Sequence, residues 1–225
     1  MGWGVERDET FASLIEKESG LKVLNAGISS YETVRQILML KRADTSKLKY
    51  LIVQYANNDN FPNRALLAAG LVSRKTEQDF RRAQDKHART TRYVFGRHVY
   101  RLIKSLIWPR WYRNVFANMA RAPYEPDDPD VFLEVMKHLA LDLTKVRIIV
   151  TELSPLETLR STFLDGLART LAEGDEGEYW RRADMRVVDV SDVLDESTYF
   201  VLDHHLNALG HRAVAARIMQ AMRLD

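Results

Sequence analysis

The chain has 225 residues, the length of a single domain, 1–225, with room for a substantial core. Its 33 Lys and Arg nearly balance 31 Asp and Glu, so the whole chain is no polyanion binder and no nucleic-acid partner is expected. The absence of cysteine excludes a disulfide framework, a cysteine-based zinc site and a thiol nucleophile, and no apolar run reaches the length of a membrane span. None of this fixes a compartment.

The N-terminal residues Met1, Gly2, Trp3, Gly4 and Val5 carry no signal-peptide pattern and read as the middle of a loop. Phe11, Leu14 and Ile15 then share a helical face, with Asp8 placed to cap it and Gly20 to end it. Residues 22–25 read as a short strand running into Ala26, Gly27, Ile28, Ser29 and Ser30. Ser29 with Glu32 forms a capping-box pattern ahead of a helix that buries Val34, Ile37 and Leu38.

Residues 51–55, Leu-Ile-Val-Gln-Tyr, are a nearly continuous apolar run, the pattern of a strand covered on both faces. At Ala56 the run breaks into Asn57, Asn58, Asp59 and Asn60. Such a cluster at a strand's C-terminal end is either a ligand-facing loop of an open α/β sheet or an Asn-rich turn. The order helix, strand, helix, strand implies parallel pairing.

Residues 61–129 interrupt that rhythm as a helical insertion. Val99, Leu102, Ile103, Leu106 and Ile107 recur at helical spacing. Tyr93, Phe95, Tyr100, Trp108, Trp111 and Tyr112 interleave with Arg92, Arg97, Arg101, Lys104, Arg110 and Arg113. From Arg64 to Arg121 there are 14 Lys and Arg against three acids. A basic face with an aromatic rim suits peripheral contact of residues 92–113 with a membrane. The plainer reading is the solvated side of a helix whose apolar side covers the domain.

Asp130 is placed to cap a helix burying Phe132, Val135, Met136, Leu139 and Leu143. Residues 146–151 form the next strand, and Leu159, Phe163, Leu167 and Leu171 the helix after it. Residues 173–179 read as a polar connection and 185–190 as the last strand. Asp203, His204, His205, Leu206, Asn207, Gly210 and His211 then precede a closing helix that buries Val214, Ala215, Ile218 and Met222.

Three polar clusters thus fall at strand ends: Gly27 with Ser29, residues 57–60, and residues 203–211. An Asp close before a His is the pair an oriented general base needs, and a glycine amide beside an asparagine side chain supplies oxyanion donors. Together they outline acyl transfer by a serine.

The clusters also resemble the SGNH/GDSL hydrolase family of esterases, lipases and acyltransferases. Asn25-Ala26-Gly27 resembles the family's second block, with Gly27 as oxyanion donor. Ala56-Asn57-Asn58-Asp59 resembles its Gly-x-Asn-Asp block, with Asn58 as the amide donor and Ala56 in place of the glycine. Asp203-His204-His205 resembles the last block, with His205 as base and Asp203 as its orienting acid, although the family usually spaces them Asp-x-x-His. This leaves His204 as the competing base. For His204 and His211 the structural readings are a loop residue and a helix N-terminal residue.

The first block departs. The stretch from Gly2 to Phe11 is similar to the segment just after the family's Gly-Asp-Ser, but serine and strand are both absent, so no nucleophile is assigned in this chain. Ser29, Ser30 and Ser154 are poor substitutes, and the natural protein is expected to begin further upstream. The resemblance implies a flavodoxin-like three-layer α/β/α fold with a parallel sheet of four strands here, the first strand missing. It also implies a small-molecule acyl-ester substrate, and no metal or organic cofactor.

Overall fold

The computed structural model describes residues 4–28, 31–70, 77–92, 96, 99–100, 103, 128–139, 145–154, 162–200 and 205–222. In chain order the elements are α1 (Phe11–Ser19), α2 (Thr33–Leu40), β1 (Tyr50–Tyr55), α3 (Asn60–Ala68), α4 (Glu77–Thr91), α5 (Asp128–Met136), β2 (Arg147–Glu152), α6 (Thr162–Ala172), α7 (Gly174–Arg182), β3 (Met185–Val187) and α8 (Ala208–Met222). The strands form one parallel sheet in the order β1-β2-β3, with Tyr50 opposite Arg147 and Tyr55 opposite Glu152. The α/β class and the parallel sheet are as the sequence predicts.

Strand alternation builds the two cores. Leu51, Val53 and Tyr55 face a cluster drawn from α2, α3, α5, α6 and α7, including Val34, Ile37, Leu66, Phe132, Leu167 and Trp180. Tyr50 and Ile52 face the opposite cluster, where Ile15 of α1 meets Val214 and Ile218 of α8. Because helices cover both faces, the strands carry apolar residues on both sides. At the centre of the first core, the Tyr55 ring stacks on Phe163 at 3.8 Å, and Phe132 meets both edge-on at 5.7 and 5.5 Å.

Residues 22–25 differ from expectation. They are not a strand: no described strand runs beside them, the Val23 amide donates to Glu16 Oε2 at 3.0 Å, and Leu24 stays 71% exposed while Leu21 and Val23 reach the second core. The described sheet therefore has three strands, not four. Among the described residues the outer edge of β1 also has no strand beside it. The Lys49 and Tyr55 carbonyls accept from the amides of Arg147 and Leu153, at the two ends of β2, so the odd-numbered residues face β2. Tyr50, Ile52 and Gln54 turn their N–H and C=O groups to an edge where no strand sits among the described residues.

Helix boundaries also shift for local reasons. Thr10, not Asp8, caps α1 through its hydroxyl oxygen, which accepts from the Ser13 amide at 3.3 Å; Asp8 lies within a 3-10 turn, Arg7–Glu9. Gly20 ends the helix at φ 70°, a left-handed position that glycine takes without strain. Helix α5 begins at Asp128, two residues before the expected cap at Asp130. The polar connection after residue 173 is instead helix α7, anchored by the fully buried Trp180. Its Gly177 sits so close to α6 that a Cβ would lie 2.5 Å from the Thr170 carbonyl oxygen.

Phe132→Ala removes the edge-on partner of both rings from a fully buried position. We expect a loss of about 3–5 kcal/mol, read as a lower urea midpoint at unchanged slope.

Candidate functional site

The C-terminal end of β1 passes into a 3-10 turn, Asn57–Asp59, and then into α3. Asp59 is buried, and its Oδ2 accepts from the Thr33 hydroxyl at 3.0 Å. Burial pushes its carboxyl up to about 7, against the opposing pull of that hydrogen bond. One helical turn later, Asn63 Oδ1 accepts from the Val34 amide at 3.2 Å. Helix α2 begins after Glu32, whose side chain makes no cap hydrogen bond, so the β1–α3 segment supplies the partners that the first turn of α2 lacks. The expected cap by Ser29 falls outside the described residues, and Glu32 precedes the helix as its flanking residue.

Asn60 has a different duty. Its Nδ2 donates to Asp128 at the start of α5, while its Oδ1 accepts from Arg64 Nε at 2.8 Å. Arg64 also pairs with Asp128 at 3.2 Å. The four polar residues therefore divide: Asp59 and Asn60 hold helices, as the turn reading allows. Asn58 is exposed and makes no side-chain hydrogen bond among the described residues. Nothing of the Asn57 side chain belongs to the described structure.

Gly27 precedes α2 in the chain, and the first residue of that helix, Thr33, is held by Asp59 just past the C-terminal end of β1. Gly27 is exposed, and its amide donates to Asn25 Oδ1 at 3.1 Å in a local turn. That donor is occupied, and no hydrogen bond links Gly27 with Asn58.

The third loop is tied to the same end of the sheet through β2. Tyr199 donates its hydroxyl to the Ser154 carbonyl at 3.0 Å, two residues past the end of β2. Tyr199 and Leu206 form an antiparallel bridge, and the Phe200 amide donates to the His205 carbonyl at 3.0 Å. Asn207 fastens the base of this loop: its Nδ2 donates to the Ser197 and Tyr199 carbonyls, and its Oδ1 accepts from Leu209 and Gly210 at the start of α8. His205 is exposed. Asp203 and His204 lie outside the described residues, so the pairing of an acid with either histidine is not described.

His211 is a structural residue. It is buried, stacks on Phe11 at 5.8 Å, and its Nδ1 accepts from the Phe11 amide at the start of α1. Burial lowers its pKa to about 4, which keeps the ring neutral and able to accept.

One pair at this end escapes a sequence reading. Glu152, the last residue of β2, is buried and accepts from the Ser154 hydroxyl at 2.6 Å. Burial pushes its carboxyl up to about 7, with Asp189 and Asp128 adding to the rise and Ser154 opposing it. Ser154 is itself buried and donates its hydroxyl to this carboxyl. The only signal is a Glu and a Ser two residues apart at a strand end. That pattern is too short to distinguish from a connection.

Among the described residues no group of three or more His, Asp or Glu could hold a metal. A cavity of about 300 Å³ lies at the opposite end of the sheet, lined by Lys49, Lys145, Arg147, Arg182 and Asp184. The chain matches no family model, no curated protein and no solved structure.

The Glu152 carboxyl makes stability depend on pH. Its folded pKa is raised, so between about pH 4 and 7 the folded state holds a proton that the unfolded state has lost. Stability from this group is full below about pH 4 and is lost as pH climbs through 7. Glu152→Gln keeps an oxygen for Ser154 and has no charge to bury. The variant should gain on the parent as pH rises from 4 to 8, by up to about 3 kcal/mol, in paired urea titrations. An equal difference at both pH values would show that Glu152 does not titrate there.

Proposed function

We propose that this domain is the scaffold of an SGNH-type ester hydrolase or O-acyltransferase, of flavodoxin-like three-layer architecture. It acts on an acyl ester of a lipid or carbohydrate. Its nucleophilic serine is carried on a further strand outside these 225 residues. The observation that carries this reading is that the turn bearing Asn58 leaves the C-terminal end of β1, and that the loop bearing His205 is tied through Tyr199 to Ser154, just past the C-terminal end of β2 in the same parallel sheet. Open α/β sheets bind ligands at that end.

The open edge of β1 supports the missing strand. Leu51, Ile52 and Val53 have the composition of an interior strand, packed by helices on both faces, yet one side of β1 has no partner among the described residues. A strand inserted beside β1 satisfies the Tyr50, Ile52 and Gln54 groups and ends in a turn next to Asn58.

In the proposed reaction the serine oxygen attacks the acyl carbon, and His205 takes the serine proton while Asp203 holds the imidazole. The carbonyl oxygen becomes an oxyanion, bound by the Asn58 amide and by the Gly27 N–H once it leaves Asn25. Collapse breaks the bond to the alcohol, which leaves with the proton from His205. Water, or a second alcohol in a transferase, then repeats the attack on the acyl-enzyme.

A second reading rests on the Gly27 amide, already bonded to Asn25. In it the cleft binds acylated sugars or lipids without turnover. A coding sequence that supplies a strand and Gly-Asp-Ser ahead of Met1 counts against it.

The 225-residue chain should hydrolyse a short-chain p-nitrophenyl ester no faster than buffer. Turnover that disappears on Ser29→Ala or Ser30→Ala would overturn the proposal. In a chain extended through an upstream serine, Asn58→Ala should lower kcat by roughly 10²–10³ with an unchanged melting temperature. Unchanged kcat removes Asn58 from the site.

A further inference from the structure

Two segments at the C-terminal end of the sheet hang from the same kind of contact, a hydroxyl donating to a buried carboxyl. Just past β1 the acceptor is Asp59 and the donor Thr33, at 3.0 Å, which holds the start of α2. At the end of β2 the acceptor is Glu152 and the donor Ser154, at 2.6 Å. The Ser154 carbonyl in turn accepts from Tyr199 at 3.0 Å, which holds the segment running on toward His205. Tyr55 lies between the two acceptors, with Glu152 as its register partner on β2. Burial, and then the nearby Asp128, Asp59 and Glu152 carboxyls, push the Tyr55 hydroxyl well above the usual tyrosine range, with Arg64 opposing them.

The surrounding charges do not neutralise the pair. Glu32, Asp59, Asp128 and Glu152 are all buried here. Arg35 pairs with Glu32 at 2.9 Å and Arg64 with Asp128 at 3.2 Å. Among the described residues Asp59 and Glu152 have no cationic partner. Glu32 faces Asp59, and Asp189 and Asp128 face Glu152, so each meets further acid. Their donors are hydroxyls, joined at Asp59 by backbone amides. A buried carboxylate without a cation is costly to ionise, whereas a protonated carboxyl still accepts a hydrogen bond at its other oxygen. The basic segment 92–113 lies mostly outside the described residues, whereas every group of this cluster lies within them.

We propose that the C-terminal end of the sheet is a proton-operated latch: with Asp59 and Glu152 protonated, α2 and the Tyr199 segment are held against the sheet, and with both ionised they part from it and admit water. Opening is local because each carboxyl sits at a strand end, where a small displacement hydrates it. Burial raises both carboxyls to about 7. Closure is therefore fullest below about pH 4, where the opened carboxyls are protonated too, and is lost as pH climbs to about 7. Within that window the open population grows by up to about tenfold per pH unit for each carboxyl. The latch does not depend on the proposed reaction.

The test is hydrogen exchange of the full 225-residue chain, read by mass spectrometry and corrected for the intrinsic pH dependence of exchange. Protection over residues 31–40 and 194–200 should fall at least about tenfold between ~pH 5 and ~pH 7.5, while residues 11–19 of α1, on the other face of the sheet, keep theirs. Asp59→Asn and Glu152→Gln each keep an oxygen for the hydroxyl and remove the charge. The first should flatten the profile of residues 31–40 alone, the second that of residues 194–200 alone. Thr33→Val should lower protection of residues 31–40 at ~pH 5 with Asp59 intact. Constant protection of both segments in the parent overturns the latch. So does an equal fall in α1, which would mean that the whole domain loosens, or a pH profile that survives both carboxyl substitutions.

Discussion

The arrangement of the sheet's C-terminal end depends on one buried contact, the Thr33 hydroxyl on the Asp59 carboxylate. A helix N-terminus exposes amides that need partners, and α2 has none from its own flanking side chain. Asp59 and Asn63 supply them from a segment 26 and 29 residues away. The same contact ties the exit of β1 to the start of α2. Its strength has a condition. A carboxyl raised to about 7 by burial is half protonated near neutrality, so the acceptor on which this end relies is in partial retreat at physiological pH.

Around that contact the two faces of the sheet do separate work. The face with Tyr55, Phe132 and Phe163 is a dense aromatic centre that fixes α5 and α6 against β1. The other face is aliphatic and joins α1 to α8, sealed by neutral His211 over the first amide of α1. Arg147 links the far end, where it binds Asp184 at 2.5 Å and lies 5.8 Å from the Tyr50 ring. Asp184 itself has φ 48°, a left-handed turn residue that Arg147 and Arg186 hold from two sides. The short turn from α7 to β3 is thus fixed by charge instead of glycine.

How much of each element is legible in the sequence depends on how local its signal is. Strands β1 and β2 are legible because sheets covered on both sides leave long apolar runs, and α8 is legible from its regular apolar spacing. Helix α7 is not, because its stability comes from one tryptophan and from Gly177 touching α6, neither of which has a period. For the α2 cap the sequence offers the near neighbour Glu32, whose side chain makes no cap hydrogen bond, whereas the described partners lie beyond β1. In residues 57–60 the composition is visible but the division of labour is not: Asp59 and Asn60 are set by contacts with α2 and α5, which no local spacing encodes. Residues 22–25 have strand composition, yet composition gives a strand only when a neighbour is there to pair with it.

The side of β1 that has no partner strand among the described residues also bears on how this chain behaves in a crowded solution. Proteins guard strand edges with lysine, proline, a bulge or a covering loop, and Leu51, Ile52, Val53, Gln54 and Tyr55 include no charge and no proline. Such a segment is a template on which another chain can grow β-structure, most readily before the helices have closed over its two faces. Folding yield then becomes a contest between first-order closure of the helices and second-order capture by a neighbour. Dilution, slow synthesis or early release of the preceding helices tips that contest toward the monomer.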